Sequence, residues 1–360
     1  WLGRAWASQA TFVAGDDGTV DLRKAKPVGG SYSGADPNGL FASMRPTTRP
    51  HPGQDTMDIV DVTVRDAGRQ THVELTRWLE TYQVSSRYLV AATDGMNGVF
   101  YSPRPKATRA PGVVVFGGSE GGLSTPVALS AQLLASHGVP ALAIAYFHDR
   151  GLPPALHNIP LEYFANAARW LAAQPGVDPA RVFLMGSSAG SEAALLTAAY
   201  YPDLIYGAVG LSPGDTATAC HDPSGPCSGS AWSWHGQPLA YDDPGGFPVF
   251  NNDPAAIPAE RIRGPIFLLC GEADLIWDSC GHARSIAGRL ARFGRPQPAL
   301  NAYWAAGHGI DIVPPDLPGG DLPETKGLQP DSNQLAREDA WPKLLRFLGA
   351  PLMNPKLPPA

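Results

Sequence analysis

The chain has no lysine- or arginine-rich run and no excess of positive charge. Its 27 Lys and Arg stand against 33 Asp and Glu, for a net charge of −6. Nothing in that balance offers the electrostatic footprint of a nucleic-acid partner. Nor is there an apolar run approaching the roughly 20 residues that a membrane helix needs, so no membrane span is expected. Low-complexity tracts and internal repeats are missing as well. The first residue is Trp1 instead of Met, which suggests a processed or truncated chain. No signal peptide is visible, although one could have been removed.

Cysteine is scarce, with 4 in 360 residues. Cys220 and Cys227 bracket one loop, and Cys270 and Cys280 another. Neither pair has C-x-x-C spacing, which argues against zinc. Two closely spaced loop pairs suggest two local disulfides and an oxidising compartment, secreted or periplasmic. Four reduced cysteines in a cytoplasmic enzyme is the alternative, since four cysteines permit three pairings.

Glycine and proline, at 40 and 37 residues, are abundant and fit a loop-rich enzyme. The length accommodates one large domain with a smaller one, or two domains. Residues 1–90 read as mostly β. Ile59-Val60-Asp61-Val62-Thr63-Val64 is rich in β-branched residues, and Thr71-His72-Val73-Glu74-Leu75-Thr76 alternates polar and apolar. The short spacing suggests a β-sandwich-like module, followed by a linker at Pro103-Arg104-Pro105-Lys106-Ala107-Thr108.

From about residue 111 the pattern changes. Val113–Phe116, Ala141–Ala145, Arg181–Met185, Ala208–Leu211 and Ile266–Leu269 are short apolar runs, as expected of strands covered on both faces. Helical stretches lie between the first of them, at Ala128–Ser136, at Leu161–Ala173 and after Ser188. This β-α alternation predicts a mostly parallel, doubly wound sheet in an α/β domain over 91–360. Residues 213–262 interrupt it with Trp232, Trp234, Tyr241, Phe247 and Phe250. The stretch is either a cap over the strand ends or a surface loop packed by its own aromatics. Trp232 and Trp234 are candidate substrate contacts, with Glu120 from the loop after Phe116.

Gly186-Ser187-Ser188-Ala189-Gly190 is a G-x-S-x-G sequence between a strand and a helix. Small residues allow the sharp turn that exposes a serine hydroxyl. That hydroxyl needs a base, normally a histidine held by a carboxylate. In the α/β-hydrolase layout the acid and then the histidine follow the serine along the chain. Gly271-Glu272-Ala273-Asp274 follows a late strand, and Asp274 is the chosen acid, with Glu272 and Asp278 as rivals. Leu300–Trp304 reads as the last strand and leads into Gly307-His308-Gly309, whose flexible glycine flanks would let His308 project toward the nucleophile. The other histidines read as structural or surface residues, with His148 near enough to a strand end to line a pocket.

A developing oxyanion needs two N–H donors. One is expected from Ala189. The other should come from Gly117-Gly118-Ser119-Glu120-Gly121-Gly122, at Gly118 or Ser119. The same loop could be an ordinary strand–helix turn. It is not followed by the G-K-[ST] of a phosphate loop. No cofactor or metal is called for.

These residues resemble those of the acyl-CoA thioester hydrolases and bile acid-CoA:amino acid N-acyltransferases. The resemblance runs through Phe116–Leu123, Leu133–Gly138, Ala143–Tyr146, Gly186–Glu192, Gly271–Asp274, Gly307–Ile310, Val313-Pro314-Pro315 and Asp339-Ala340-Trp341. It implies an α/β-hydrolase fold preceded by a β-sandwich module, of which Asp21-Leu22, Gly29–Tyr32 and Pro37–Leu40 match the second half. The family's first strands are expected to lie before Trp1 in a longer natural chain, or to be cut from the module. The resemblance also implies acyl transfer through a covalent intermediate. Family transferases tend to carry cysteine as nucleophile and thioesterases serine, so Ser188 implies hydrolysis over transfer to an amine or alcohol. Ser191 stands where the family usually has a second glycine. The expected partner is a small acyl substrate, an acyl-CoA or another ester, thioester or amide, and export would argue against CoA. An inactive hydrolase fold used for binding is the reading from another class. Oligomeric state is left open.

Overall fold

A computed structural model describes residues 4–50, 57–78, 84–104, 109–242, 254–311, 327–328 and 332–350. Among the features singled out above, Phe247, Phe250, Val313-Pro314-Pro315 and residues 105–108 lie outside the described residues.

One eight-stranded sheet organises the chain. Its strands, numbered along the sequence, are β1 Val84–Leu89, β2 Asn97–Pro103, β3 Ala110–Phe116, β4 Ala141–Ala145, β5 Val177–Ser187, β6 Gly207–Leu211, β7 Ile266–Gly271 and β8 Ala299–Tyr303. Their order across the sheet is β1-β2-β4-β3-β5-β6-β7-β8. β1 and β2 run antiparallel and all pairings from β4 to β8 are parallel. Helices α1 Thr125–Ser136, α2 Leu161–Ala172, α3 Ala189–Tyr200, α4 Ser279–Arg292 and α5 Ser332–Phe347 cover it. This order and polarity are those of an α/β-hydrolase sheet, reversing at β3, where such sheets bind ligands beyond the strand ends.

Strand periodicity explains why both faces are apolar. Side chains of a strand alternate between faces. Val114, Phe116, Leu142, Ile144, Leu184, Ala208 and Leu268 join one core cluster with residues of α2, α3 and α4. Their neighbours Val113, Val115, Ala143, Phe183, Met185, Val209, Phe267 and Leu269 join the other, with α1 and α5. Buried Leu, Val or Phe side chains each contribute roughly 1.5–3 kcal/mol. α2 shows the helical counterpart: Leu161, Phe164, Ala165, Ala168 and Leu171 form one buried stripe.

The described part of residues 1–78 forms three two-stranded sheets. Arg4–Ala7 pairs with Arg45–Pro50, and Ala10–Thr11 with Gly29–Gly30. Met57–Asp66 pairs with Arg69–Trp78 through a tight turn in which Ala67 and Gly68 both have positive φ. The next strand, β1, already belongs to the large sheet.

The segment after β6 is stitched to its surroundings. Trp232–Trp234 pairs with Ile159–Pro160 and with Gln237–Pro238. Bridges join Leu156 to His221, Thr216 to Ala256, Thr218 to Asp242 and Ala219 to Ser230. Cys220 is bonded to Cys227, and Cys270 to Cys280, the pairing expected from their spacing.

Candidate active site

β5 ends at Ser187 and α3 begins at Ala189, so the whole turn is made at Ser188. Its φ of 52° and ψ of −126° lie in a sparsely populated region. Such a conformation costs about 1–3 kcal/mol unless its surroundings hold it. Here Ser188 N donates to Leu211 O and Ser191 N to Ser188 O. The flanking glycines serve close approach. A Cβ at Gly186 would collide with Gly190 O, and one at Gly190 with Gly117 O. Ser191, in place of the usual glycine, is buried, and its hydroxyl accepts from Gly214 N.

The structure brings Ser188, His308 and Asp274 into contact. His308 Nε2 lies 3.0 Å from Ser188 Oγ, and Nδ1 lies 2.8 Å from Asp274 Oδ2. A carboxylate can only accept, so Nδ1 carries the proton and Nε2 is left to accept from the serine hydroxyl. The other Asp274 oxygen accepts from Ile276 N at 2.9 Å and Trp277 N at 3.3 Å, which fixes the carboxylate plane. The side chains of Asp274 and His308 are 1% and 7% exposed, so this relay is shielded from water.

The rival acids do other work. Glu272 pairs with Arg284, and Asp278 accepts from Gly281 N as the cap of α4. His308 is held firmly, contrary to the flexibility expected of its glycine neighbours. It opens the 3-10 turn His308–Asp311, Ser212 Oγ donates to its carbonyl, and Gly307 N donates to Asn333 Oδ1. The Trp277 ring stands edge-on to His308 with centroids 5.6 Å apart, and its indole N–H donates to Ser212 O. Ser212, Trp277 and Asn333 escaped sequence reasoning. Only Trp277 carried a signal, as an apolar residue three positions after the acid.

Ala189, the first expected oxyanion donor, is the first residue of α3, so its N–H has no intrahelical acceptor. Gly118 lies beside Ser188: a Cβ there would sit 2.8 Å from Ser188 Cβ. The Gly118 N–H donates to Glu120 Oε2 at 2.9 Å. Burial pushes the Glu120 carboxyl above the usual range, while loop N–H groups, and His308 whenever it is protonated, oppose that shift. Ser119 is exposed. The loop carbonyls of Gly117 and Gly118 face the Tyr146 hydroxyl at 3.0 and 2.9 Å. Burial holds Tyr146 well above its ordinary pKa, so it remains a donor. Nothing in the sequence marked Tyr146 for this role. His148 Nδ1 reaches the Glu120 carbonyl at 3.4 Å.

The expected aromatic lining is not where the cap reading put it. Trp232 is fully buried against Tyr146 and Phe164, and its indole N–H donates to Glu192 Oε2. Trp234 packs on Tyr200, the last residue of α3, roughly 16 Å along the helix from Ala189. Both tryptophans pack the segment against the core instead of facing Ser188. Glu192 Oε2 also accepts from Thr218 N and Thr218 Oγ1, and burial pushes this carboxyl up to about 8. Among the described residues no group of His, Cys, Asp and Glu has a metal-holding arrangement, and no helix is long and apolar enough to cross a membrane.

The chain is similar to known proteins over most of its length. Residues 2–90 match the N-terminal region model of acyl-CoA thioester hydrolases and bile acid-CoA:amino acid N-acyltransferases. Residues 159–220 and 247–354 match the C-terminal model of the same proteins. The chain is 28% identical over 402 residues to acyl-coenzyme A amino acid N-acyltransferase 1 of Mus musculus, covering 96% of this chain and 88% of that one. It is 28% identical over 387 residues to acyl-coenzyme A thioesterase 6 of Mus musculus, covering 96% and 86%. A putative dienelactone hydrolase from Klebsiella pneumoniae superposes with a TM-score of 0.49 at 17% identity, over 74% of this chain and 98% of that one. The protein is therefore an enzyme and belongs to the acyl-CoA thioester hydrolase/bile acid-CoA:amino acid N-acyltransferase family.

Proposed function

We propose that this enzyme is a serine hydrolase that cleaves an acyl thioester or ester through Ser188, His308 and Asp274. The unbroken contact from Asp274 Oδ2 through the imidazole to Ser188 Oγ carries the reading. His308 Nε2 takes the serine proton as Oγ attacks the acyl carbon. The tetrahedral oxyanion is held by the N–H groups of Ala189 and Gly118. Asp274 stabilises the imidazolium, which then protonates the departing thiolate or alkoxide. Water, deprotonated by His308, attacks the acyl-enzyme and releases the acid. The division into an N-terminal module over 1–90 and a catalytic domain over 91–360 is part of this proposal, although Val84–Leu89, within the module's range, already pairs into the large sheet.

Two observations bear on the substrate. Relatives act on acyl-CoA by their names, which favours a thioester. Paired cysteines favour an oxidising compartment, where another acyl ester, thioester or amide is the better candidate. Transfer to an amine is the second reading, because the family includes N-acyltransferases. The 3.0 Å contact between Ser188 and His308 argues against an inactive binding protein. Ser188→Ala should abolish both ester hydrolysis and labelling by a fluorophosphonate. Labelling that persists on another residue would refute the assignment. Product analysis with and without an amine acceptor separates hydrolysis from transfer.

A further inference from the structure

The Gly118 amide is the loop donor beside the nucleophile, and it is already engaged. Its N–H donates to Glu120 Oε2 at 2.9 Å. A Cβ at Gly118 would lie 2.8 Å from Ser188 Cβ and 3.1 Å from that same Oε2. A Cβ at Gly117 would collide with Glu120 Oε1, so the carboxyl folds back over both glycines. His308 Nε2 lies 3.0 Å from the oxygen of the same serine. Carboxylate oxygen, loop amide, serine side chain and imidazole thus gather in one small volume.

A carboxylate oxygen carries the same kind of partial negative charge as the oxyanion of a tetrahedral intermediate. One N–H cannot serve both acceptors with good geometry. Resting on the reading above, we propose that Glu120 is an internal occupant of the Gly118 half of the oxyanion site, displaced by the acyl oxygen during turnover. Displacement requires the carboxyl to give up its hydrogen bond from Gly118 N, and the exposure of Glu120 leaves room outside the site for the freed side chain. The return of Glu120 after hydrolysis sets one carboxylate against another and expels the acid product. The vacated space is a carboxylate subsite that Glu120 keeps closed to outside carboxylates.

The test uses p-nitrophenyl butyrate hydrolysis with sodium acetate as competing carboxylate, on wild type, Glu120→Ala and Glu120→Gln. In wild type acetate should compete poorly. Glu120→Ala should lower KM and make acetate a competitive inhibitor about tenfold stronger or more, the scale of one charge-assisted hydrogen bond. Glu120→Gln keeps the side-chain size, removes the repulsion and should fall between. Acetate should also protect Ser188 in Glu120→Ala from fluorophosphonate. If either variant that retains labelling at Ser188 shows wild-type acetate sensitivity, or a raised KM, the proposal is overturned. Failure of wild type to label at Ser188 would instead overturn the assignment of the nucleophile.

Discussion

Asp274→Asn is the sharpest perturbation of the proposed relay, because the structure dictates how the new amide must sit. Asp274 Oδ1 accepts two backbone N–H groups, from Ile276 and Trp277, while Oδ2 faces His308 Nδ1. An asparagine must keep its carbonyl oxygen toward the two backbone donors, since its NH2 has nothing there to donate to. The NH2 then points at Nδ1 and obliges it to accept. The imidazole flips to the tautomer protonated on Nε2, which cannot take the Ser188 proton. The fold should survive, because size and the loop hydrogen bonds are retained. In triads of this kind the wrong tautomer lowers kcat by about 10⁴-fold, or about 5.5 kcal/mol of barrier. The assay is kcat on a p-nitrophenyl ester, with circular dichroism as the folding control. Glu272→Gln and Asp278→Asn serve as comparisons. Glu272→Gln should leave kcat within a few-fold, since Glu272 pairs with Arg284 on the surface. Asp278→Asn should cost at most about 1 kcal/mol of stability through the α4 cap. A loss under tenfold for Asp274→Asn, or a larger loss for either rival, would refute the tautomer argument and the choice of acid.

Two further outcomes follow from buried chemistry away from the relay. The Glu192 carboxyl, pushed up to about 8 by burial, binds a proton in the folded state that an unfolded glutamate releases near pH 4.5. The folded protein holds the extra proton between these values, so stability should fall as pH rises from about 4.5 to 8 and then level off. Glu192→Gln should flatten that dependence by roughly a few kcal/mol, read from urea denaturation at pH 5, 7 and 9. An unchanged slope would show that Glu192 is ionised in the folded state. The Cys270–Cys280 bond closes the loop that carries Asp274. Denatured, unreduced protein should titrate no thiols, and Cys280→Ala should lower stability by about 2–3 kcal/mol. An intermediate thiol count would contradict the pairing.

Much of the fold can be read from composition along the chain. Val113–Phe116, Ala141–Ala145 and Ile266–Leu269 are unbroken apolar runs because each strand is buried on both faces, and all lie inside observed strands. The last strand ends at Tyr303, one residue before the expected Trp304, which is exposed. The cap was harder. Its aromatics signalled burial without direction, since a tryptophan packs equally well into a core or a cleft. Trp232 went to the core because Glu192 offered its indole N–H a buried acceptor.

By itself the sequence determined the order of chemistry: a serine at a strand–helix turn, then an acid and a histidine after late strands, with cysteines spaced for local bonds. Local rules reach that far, because turns, strand ends and short loops are set by neighbouring residues. Only the tertiary structure decided contact. Ser188 and His308 are 120 positions apart, and Asp274 and His308 are 34 apart. Parallel strands β5, β7 and β8 deliver all three side chains to the same end of one sheet. The fold-back of Glu120 onto Gly118 spans only two residues, yet it too was illegible. The direction of a glutamate side chain depends on the amide, serine and imidazole gathered around it, and those come from three separate strand ends.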